Sequence, residues 1–422
     1  MQYVLTIAQS SRLEPIGSSA TLYTSLVLTA YIMSSFEEIP VLDWSLLSGG
    51  SEFRAKFISQ LRSAMTEVGF LYLLNPPIDH QLVQSVIDYA PKLFDLPQEK
   101  KDDLAMVNNE SFFGYNRLGA EITKGSTDFR EQFDFATPWK GQRDPEGPDY
   151  ERLWGPSQWP SDTDLPGFQA AYSAYYAQCA ELSFQFIALL AEALGLPSDA
   201  FERFFDTPKD LMVHRAKVVK YPVMPEGSSD QGVGPHFDGG FLTLLLQASS
   251  HPGLEAQNAR GEWVPAPPRP RTLVVNTGKA LETVTRGLVP ATSHRVLVPR
   301  EPTLANGEQQ ANGGGRLYDW TKDGLSTRAT GARYSIPFFQ SISQGIRVSE
   351  HQLDYPQETL DLLKNRKGDG ATESVNFSEY ERGQPSGYVQ LIGRIKSHPD
   401  VGERHYPELF KELFPGGLPI RT

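Results

Sequence analysis

From residue 211 onward the chain breaks into short runs rich in β-branched, aromatic and leucine residues, each set off by glycine and proline. They are Val213 to Tyr221, Phe241 to Gln247, Gly253 to Gln257, Thr272 to Asn276, Ser293 to Val298 and Arg333 to Phe339. No long helical pattern separates them. Many short strands without intervening helices predict a sandwich or closed barrel, and a jelly roll is the expected form. Residues 300–332 interrupt the series with a polar, glycine-rich insertion that includes Gly313-Gly314-Gly315, a composition that points to disorder rather than to an ordered lid.

The preceding half has a different rhythm. A short strand at Glu38 to Asp43 leads into Phe53, Phe57, Leu61, Ala64, Met65 and Val68, which recur at steps of three and four and predict a helix closed by Gly69 as its C-cap. Gly69 to Asn75 reads as a buried strand and Asp79 to Asp95 as a second amphipathic helix. From Phe168, through Tyr172, Tyr175, Tyr176, Cys179, Leu182, Phe186, Leu189 and Ala193, helical spacing persists until Gly195 and Pro197 stop it, and this helix is expected to back a sheet. The tail from Val348 reads as mixed helix and loop.

The expected fold class is therefore α+β, mainly β: a double-stranded β-helix (jelly roll) core with a helical N-terminal region packed against it. The corresponding division is a disordered extension over 1–36, an N-terminal region over 37–160, the long helix and jelly-roll core over 161–345, and a C-terminal helix and loop extension over 346–422. The first 33 residues carry only Arg12 and Glu14 as charges and have no basic n-region, so they support neither a signal peptide nor a membrane span, and Met33 is an alternative start.

Composition excludes some functions. With 39 Lys and Arg against 51 Asp and Glu, a net charge of -12 and no basic block, the chain lacks a surface for nucleic acid. Cys179 is its one cysteine, which rules out an intrachain disulfide and a cysteine-rich zinc site and makes a reducing, cytoplasmic compartment the simplest expectation. A monomer satisfies all of this.

The chemistry sits in five polar residues: His236 and Asp238 around Phe237, then His294, then Arg333 and Ser335 around Tyr334. Two imidazoles and a carboxylate can fill one face of a ferrous ion and leave the other open. An alternating strand would set His236 and Asp238 on one face, with His294 completing the triad from across a barrel. An H-x-D triplet alone is weak, since with eight histidines chance supplies one in roughly half of such chains. Each histidine could equally be a surface or hydrogen-bonded core residue, and Arg333 a surface salt bridge. Phe237, Phe241 and Phe339 are potential neighbours of the site, although core packing is the commoner fate of such residues. In the tail, His398 and His405 flank Pro399, which favours surface structure over a second metal site.

The context of these residues resembles the isopenicillin N synthase-like family of iron(II)/2-oxoglutarate-dependent dioxygenases. Gly234-Pro235-His236-Phe237-Asp238-Gly239-Gly240-Phe241-Leu242-Thr243-Leu244-Leu245 is similar to its iron-binding segment. Gly253-Leu254-Glu255, Trp263-Val264-Pro265, Val275-Asn276-Thr277-Gly278, Ser293-His294-Arg295-Val296 and Arg333 to Phe339 follow in family order. Ile39 to Asp43, Gly69-Phe70-Leu71-Tyr72 and Gly114-Tyr115 look like its amino-terminal domain.

The resemblance implies iron ligation by His236, Asp238 and His294, and contact of Arg333, Ser335 and Tyr221 with 2-oxoglutarate. A guanidinium can grip the distal carboxylate with two parallel hydrogen bonds. It further implies dioxygen as oxidant, ascorbate as a stimulant and a small organic molecule as substrate, oxidised by hydroxylation, desaturation or ring closure with release of succinate and carbon dioxide. Departures are Val219 where many relatives have Asn, Pro76 where a His often stands, and Lys279 where an Asp usually follows Gly278. Two other readings remain at this point: an isopenicillin N synthase-like iron oxidase that does not use 2-oxoglutarate, and a noncatalytic ligand-binding protein on the same scaffold.

Overall fold

The structure is a computed structural model that describes residues 35–418 except 124–125, 226–227, 301–314, 323, 352, 366–379 and 381. The extension expected over 1–36 thus lies outside the described residues, apart from its last two positions. Two sheets face one another. The larger runs, edge to edge, β1 (Val41–Asp43), β2 (Phe70–Leu74), β12 (Thr272–Thr277), β9 (Leu242–Gln247), β16 (Ala332–Gln340), β7 (Arg215–Pro222), β6 (Glu131–Ala136) and β3 (Gly114–Asn116). The smaller runs β11 (Trp263–Pro265), β10 (Leu254–Gln257), β13 (His294–Leu297) and β8 (Gln231–His236). Within them β1 pairs parallel with β2 and the other pairs are antiparallel. All six runs anticipated after residue 211 are strands, within two residues at each end.

Period-two alternation sorts the larger sheet's side chains onto two faces. Phe70 and Tyr72 on β2, Val219 and Tyr221 on β7, and Val274 on β12 pack inward with Val233, Leu254, Ala256, Val264 and Val296 of the smaller sheet. Leu71, Leu73, Val218, Leu244, Leu246, Val275, Ile336 and Phe338 point the other way, into a cluster built with helices. Those helices include α1 (Ser51–Ser63), α2 (His80–Phe94), the short α3 (Gln98–Asp103) and the long α4 (Phe168–Ala193). Their Phe57, Leu61, Val86, Ile87, Tyr172, Phe186 and Leu190 are fully buried, each such side chain contributing about 1.5–3 kcal/mol. The second half of the jelly roll and the helical first half therefore share one sheet.

Helix ends follow the sequence. After α1 the chain makes a π turn, Ala64–Val68, and Gly69 closes it in the left-handed region at φ 66°, donating to Ala64 O. The Asp79 carboxylate accepts from Leu82 N–H at 2.8 Å and starts α2. α5 (Lys279–Val284) follows β12 directly. The tail is more helical than expected, with α6 (Gln357–Asn365), α7 (Ser386–Ser397), α8 (Pro399–His405) and α9 (Pro407–Leu413).

Two expectations are corrected. The 300–332 insertion is ordered over much of its length. Residues 301–314 lie outside the described residues, but β14 (Gly315–Asp319) and β15 (Gly324–Thr330) form a hairpin, whose Leu317, Tyr318 and Trp320 are 1%, 5% and 2% exposed. Aromatic and aliphatic anchors in its first strand and turn outweigh the polar composition around them. The last glycine of the Gly313–Gly315 triplet lies against the His251 ring, which an added Cβ would overlap. Nor is His398 on the surface: it is 4% exposed, and α8 starts at the very proline taken to favour surface structure, because proline suits a first helical turn. His405 donates to Val107 O at 2.9 Å. The two histidines do not share a site. A last short hairpin, β4 (Ile122–Thr123) with β5 (Ser126–Thr127), lies beside β8. No helix among the described residues is long and apolar enough to cross a membrane.

Candidate active site

The antiparallel register of β13 against β8 sets His294 directly opposite His236, with ring centroids 4.3 Å apart. The strand β8 ends at His236, so Asp238 reaches the same place from the following turn and not, as expected, by strand alternation. Backbone bonds hold that turn: Lys279 N–H donates to Asp238 O at 2.8 Å and Ala280 N–H to Gly240 O at 3.2 Å. Close approach requires glycine at 278, where a Cβ would collide with Gly240 O. Lys279, a departure from the family pattern, also pairs with Glu282 at 2.5 Å and lies over the Phe237 ring at 4.5 Å. It therefore packs the turn.

The three side chains converge. His236 Nε2 is 3.9 Å from Asp238 Oδ1, His294 Nε2 is 3.8 Å from Asp238 Oδ2, and one ligand atom from each lies within 4.8 Å of the others. Both rings have the same tautomer. His236 Nδ1 is 2.9 Å from Gly234 O and His294 Nδ1 is 3.0 Å from Thr292 O. A carbonyl only accepts, so each Nδ1 carries the proton and each Nε2 presents a lone pair toward the carboxylate. Asp238 Oδ2 accepts from Thr243 Oγ1 at 2.5 Å and from Asn276 Nδ2 at 2.7 Å. These two donors are cross-strand partners on β9 and β12.

Electrostatics matches the geometry. Burial first, then the neighbouring His294, pushes His236 down to about 3. Burial alone would raise Asp238, but the two imidazoles and the Thr243 and Asn276 hydrogen bonds hold it below its ordinary value. Two imidazoles whose Nε2 atoms face one carboxylate form a donor set suited to a divalent cation.

On β16, Arg333 and Ser335 face the same interior, 1% and 2% exposed. Arg333 stands opposite Tyr221 of β7, its guanidinium 5.0 Å from that ring. One nitrogen, Nη2, donates to Gln247 Oε1 at 3.0 Å, whereas Nε and Nη1 are buried without an acceptor. Burial presses its pKa below the ordinary value, with Tyr221 opposing. A buried guanidinium with two donors unmet costs stability unless something arrives to accept from them, and a carboxylate fits that description. Val219, the second departure, lies between Gln132 and Ser335 in the sheet and belongs to the apolar interior. Phe241, suspected as a neighbour, packs among Phe201, Phe204 and Phe205 in the outer core.

Sequence reasoning placed the triad, Arg333, Ser335 and Tyr221 together, and the structure brings them into one interior. It passed over Thr243, Asn276 and Gln247, although all three lie on recognised strands. Their alternation with Leu242, Leu244, Leu246 and Val275 was the available signal. It also missed a charged patch on β6, β7 and the tail, whose strand β6 was not anticipated.

Two facing sheets with a converging His-Asp-His cluster and a buried guanidinium that has two unmet donors suit the class of non-haem metal oxygenases that also take an organic acid. The comparisons narrow this. Residues 39–162 match the profile of the non-haem dioxygenase in morphine synthesis N-terminal region, and residues 209–342 that of the 2OG-Fe(II) oxygenase superfamily. The chain is 40% identical to the 2-oxoglutarate-dependent dioxygenase frbJ of Dothideomycetidae sp. (strain 11243), covering 89% of this chain and 94% of that one. It is 36% identical to a 2-oxoglutarate-dependent dioxygenase of Gibberella zeae, covering 90% and 93%. In fold it is similar to a full-length Neurospora crassa protein solved in complex with alpha-KG, with a TM-score of 0.61 and 22% identity over 85% of this chain and 96% of that one.

The chain belongs to the 2OG-Fe(II) oxygenase superfamily. It is accordingly an oxidoreductase, a dioxygenase that works with iron(II), 2-oxoglutarate and dioxygen. The oxidase that spares 2-oxoglutarate and the noncatalytic binder are set aside.

Proposed function

We propose that His236, Asp238 and His294 hold the iron(II), and that Arg333, Ser335 and Tyr221 position the distal carboxylate of 2-oxoglutarate while a small organic molecule is hydroxylated, desaturated or cyclised. The observation that carries this reading is the shared tautomer of the two histidines, which turns both Nε2 lone pairs onto one carboxylate. When bound, iron(II) with 2-oxoglutarate and dioxygen supplies the oxidising power, the cosubstrate leaving as succinate and carbon dioxide.

The chain's own residues do the positioning. Thr243 and Asn276 fix the Asp238 carboxylate, so its charge faces both rings. Arg333 offers Nε and Nη1 to a carboxylate, and the Ser335 hydroxyl lies on the same face of β16. The apolar wall of Val219, Val233, Val274 and Val296 keeps water from this interior.

A small substrate is supported by a relative at 33% identity, the homoarginine-6-hydroxylase of Oryza sativa subsp. japonica, which covers 63% of this chain and 82% of its own length. The acidic surface argues against nucleic acid. In the same reading 37–160 is the N-terminal region, 161–345 the catalytic core and 346–422 an extension, in a cytoplasmic enzyme with Cys179 kept reduced.

The test is succinate formation from 2-oxoglutarate by purified protein with iron(II), ascorbate and oxygen. Wild type is expected to release succinate in an iron-dependent way, and Asp238→Ala to lose at least about 100-fold of that rate. Full turnover by Asp238→Ala would sink the ligand assignment.

A further inference from the structure

The inner face of β7 changes character along its length: Tyr221 and Val219 give way to Lys217 and Arg215. Opposite them, on and just before β6, stand Arg130, Gln132 and Asp134, Asp134 in register with Lys217. Glu121 joins from the preceding loop, and Arg394 and His398 from the tail.

Glu121 is the hub. It pairs with Arg130, accepts from Gln132 Nε2 at 2.8 Å, and lies 3.0 Å from His398 Nε2 and 3.6 Å from Lys217 Nζ. Asp134 accepts from the same Gln132 amide at 2.8 Å and stands 3.4 Å from Arg394 and 3.6 Å from Lys217.

Four polar atoms here lack a hydrogen bond. Lys217 is 8% exposed, yet its ammonium has no hydrogen-bond acceptor within 3.5 Å among the described residues, the carboxylate oxygens standing back at 3.6 Å. Arg130 Nε, Arg215 Nε and Gln132 Oε1 are buried without a partner. The basic groups Arg130, Arg215, Lys217 and Arg394 outnumber the carboxylates Asp128, Glu121 and Asp134. A buried excess of positive charge with free donors favours an incoming anion.

The cluster adjoins the histidines. Arg130 Nη2 is 3.3 Å from Asp128 Oδ2, Asp128 Oδ1 accepts from Gly234 N–H at 3.2 Å, and Gly234 O accepts from His236 Nδ1–H at 2.9 Å.

We propose that this cluster receives the head group of the oxidised substrate. That substrate is a small carboxylic acid whose carboxylate accepts from Lys217 Nζ and Arg130 Nε, with a donor group beside it, hydroxyl or ammonium, directed to Gln132 Oε1. The inference rests on the reading of the site given above and adds a second acid-binding position, distinct from Arg333.

The test is calorimetric titration of the full chain, loaded with iron(II) and 2-oxoglutarate without oxygen, using simple aliphatic acids, α-hydroxy acids and α-amino acids, each against its primary amide. At least one acid is expected to bind about tenfold or more tightly than its amide, and Lys217→Met to cut that preference below about twofold. Gln132→Leu keeps every charge and serves if Lys217→Met fails to fold; it is expected to lower affinity for hydroxy or amino acids, relative to the simple acid, by about fivefold or more. Amides that bind as well as acids, no binding by any acid, or an undiminished preference in the folded Lys217→Met variant overturns the proposal. Succinate release in oxygen is measured on the same preparation. If it is iron-dependent and lost in Asp238→Ala while no acid is preferred, the head-group assignment falls alone; if it is absent, the reading of the site falls as well.

Discussion

Asp238 carries a single charge between two imidazoles, and hydrogen bonds from two neighbouring strands decide how its oxygens face them. Removing one of those bonds should loosen the carboxylate without removing it. Thr243→Val, nearly the same shape, is expected to weaken iron(II) affinity about 10- to 100-fold, read by metal titration of the purified protein; unchanged affinity would mean that Asn276 alone suffices. Arg333→Ala should raise the 2-oxoglutarate concentration needed for half-maximal turnover by at least about tenfold while iron(II) binding persists, since the contact proposed for it is a charged hydrogen bond to the cosubstrate. The residues proposed to touch metal or cosubstrate were legible because their types are chemically demanding and occur in a recognisable order. Thr243 and Asn276 were not, although both sit in the quoted motifs. Their role depends on β9 lying beside β12 in one register, and no local pattern records which strands are neighbours.

At the scale of elements, the strands after residue 211 and the helices from Ser51 and Phe168 could be read from periodicity because each buries one face. Strand β6 was missed because its inner face is polar, Gln132 and Asp134 alternating with Phe133 and Phe135, a pattern that resembles a solvated edge. The hairpin of β14 and β15 was missed because three glycines obscured Leu317, Tyr318 and Trp320. Gly315→Ala should force the His251 ring aside and destabilise the protein by about 1–3 kcal/mol in a denaturant titration; no change would show that the hairpin shifts freely. The tail matters for the same reason. Ending the chain after Pro385 removes Arg394 and His398 from Asp134 and Glu121, and removes Tyr406, which stacks on Phe112 at 5.7 Å. A loss of about 3–5 kcal/mol is expected, because buried carboxylates lose partners, and thermal melting of the truncated protein checks it.

For the whole molecule, stability should depend on acidity through a group that takes no part in the chemistry. His214 is 2% exposed between the Phe184 and Phe338 rings, its Nδ1 accepts from Ser341 N–H at 3.1 Å, and burial pushes its pKa from 6.5 down to about 4. The unfolded chain gains this proton near pH 6.5 and the folded one only near pH 4. The contribution is therefore intact above the first value and lost as pH falls toward the second, by about 3 kcal/mol. Denaturation midpoints measured across that window should fall less steeply in His214→Asn than in wild type. The order of strands in the large sheet has a further consequence, for synthesis. Strands β1, β2, β12 and β9 form one half, β7, β6 and β3 the other, and β16 alone joins them. A ribosome delivers that central strand after every other strand of the sheet, so a nascent chain carries two unjoined half-sheets with bare edges until residue 340 has emerged. Arg333 travels on the closing strand. The proposed grip on 2-oxoglutarate thus comes into being only when the two halves lock, and an unfinished chain has no means of consuming the cosubstrate.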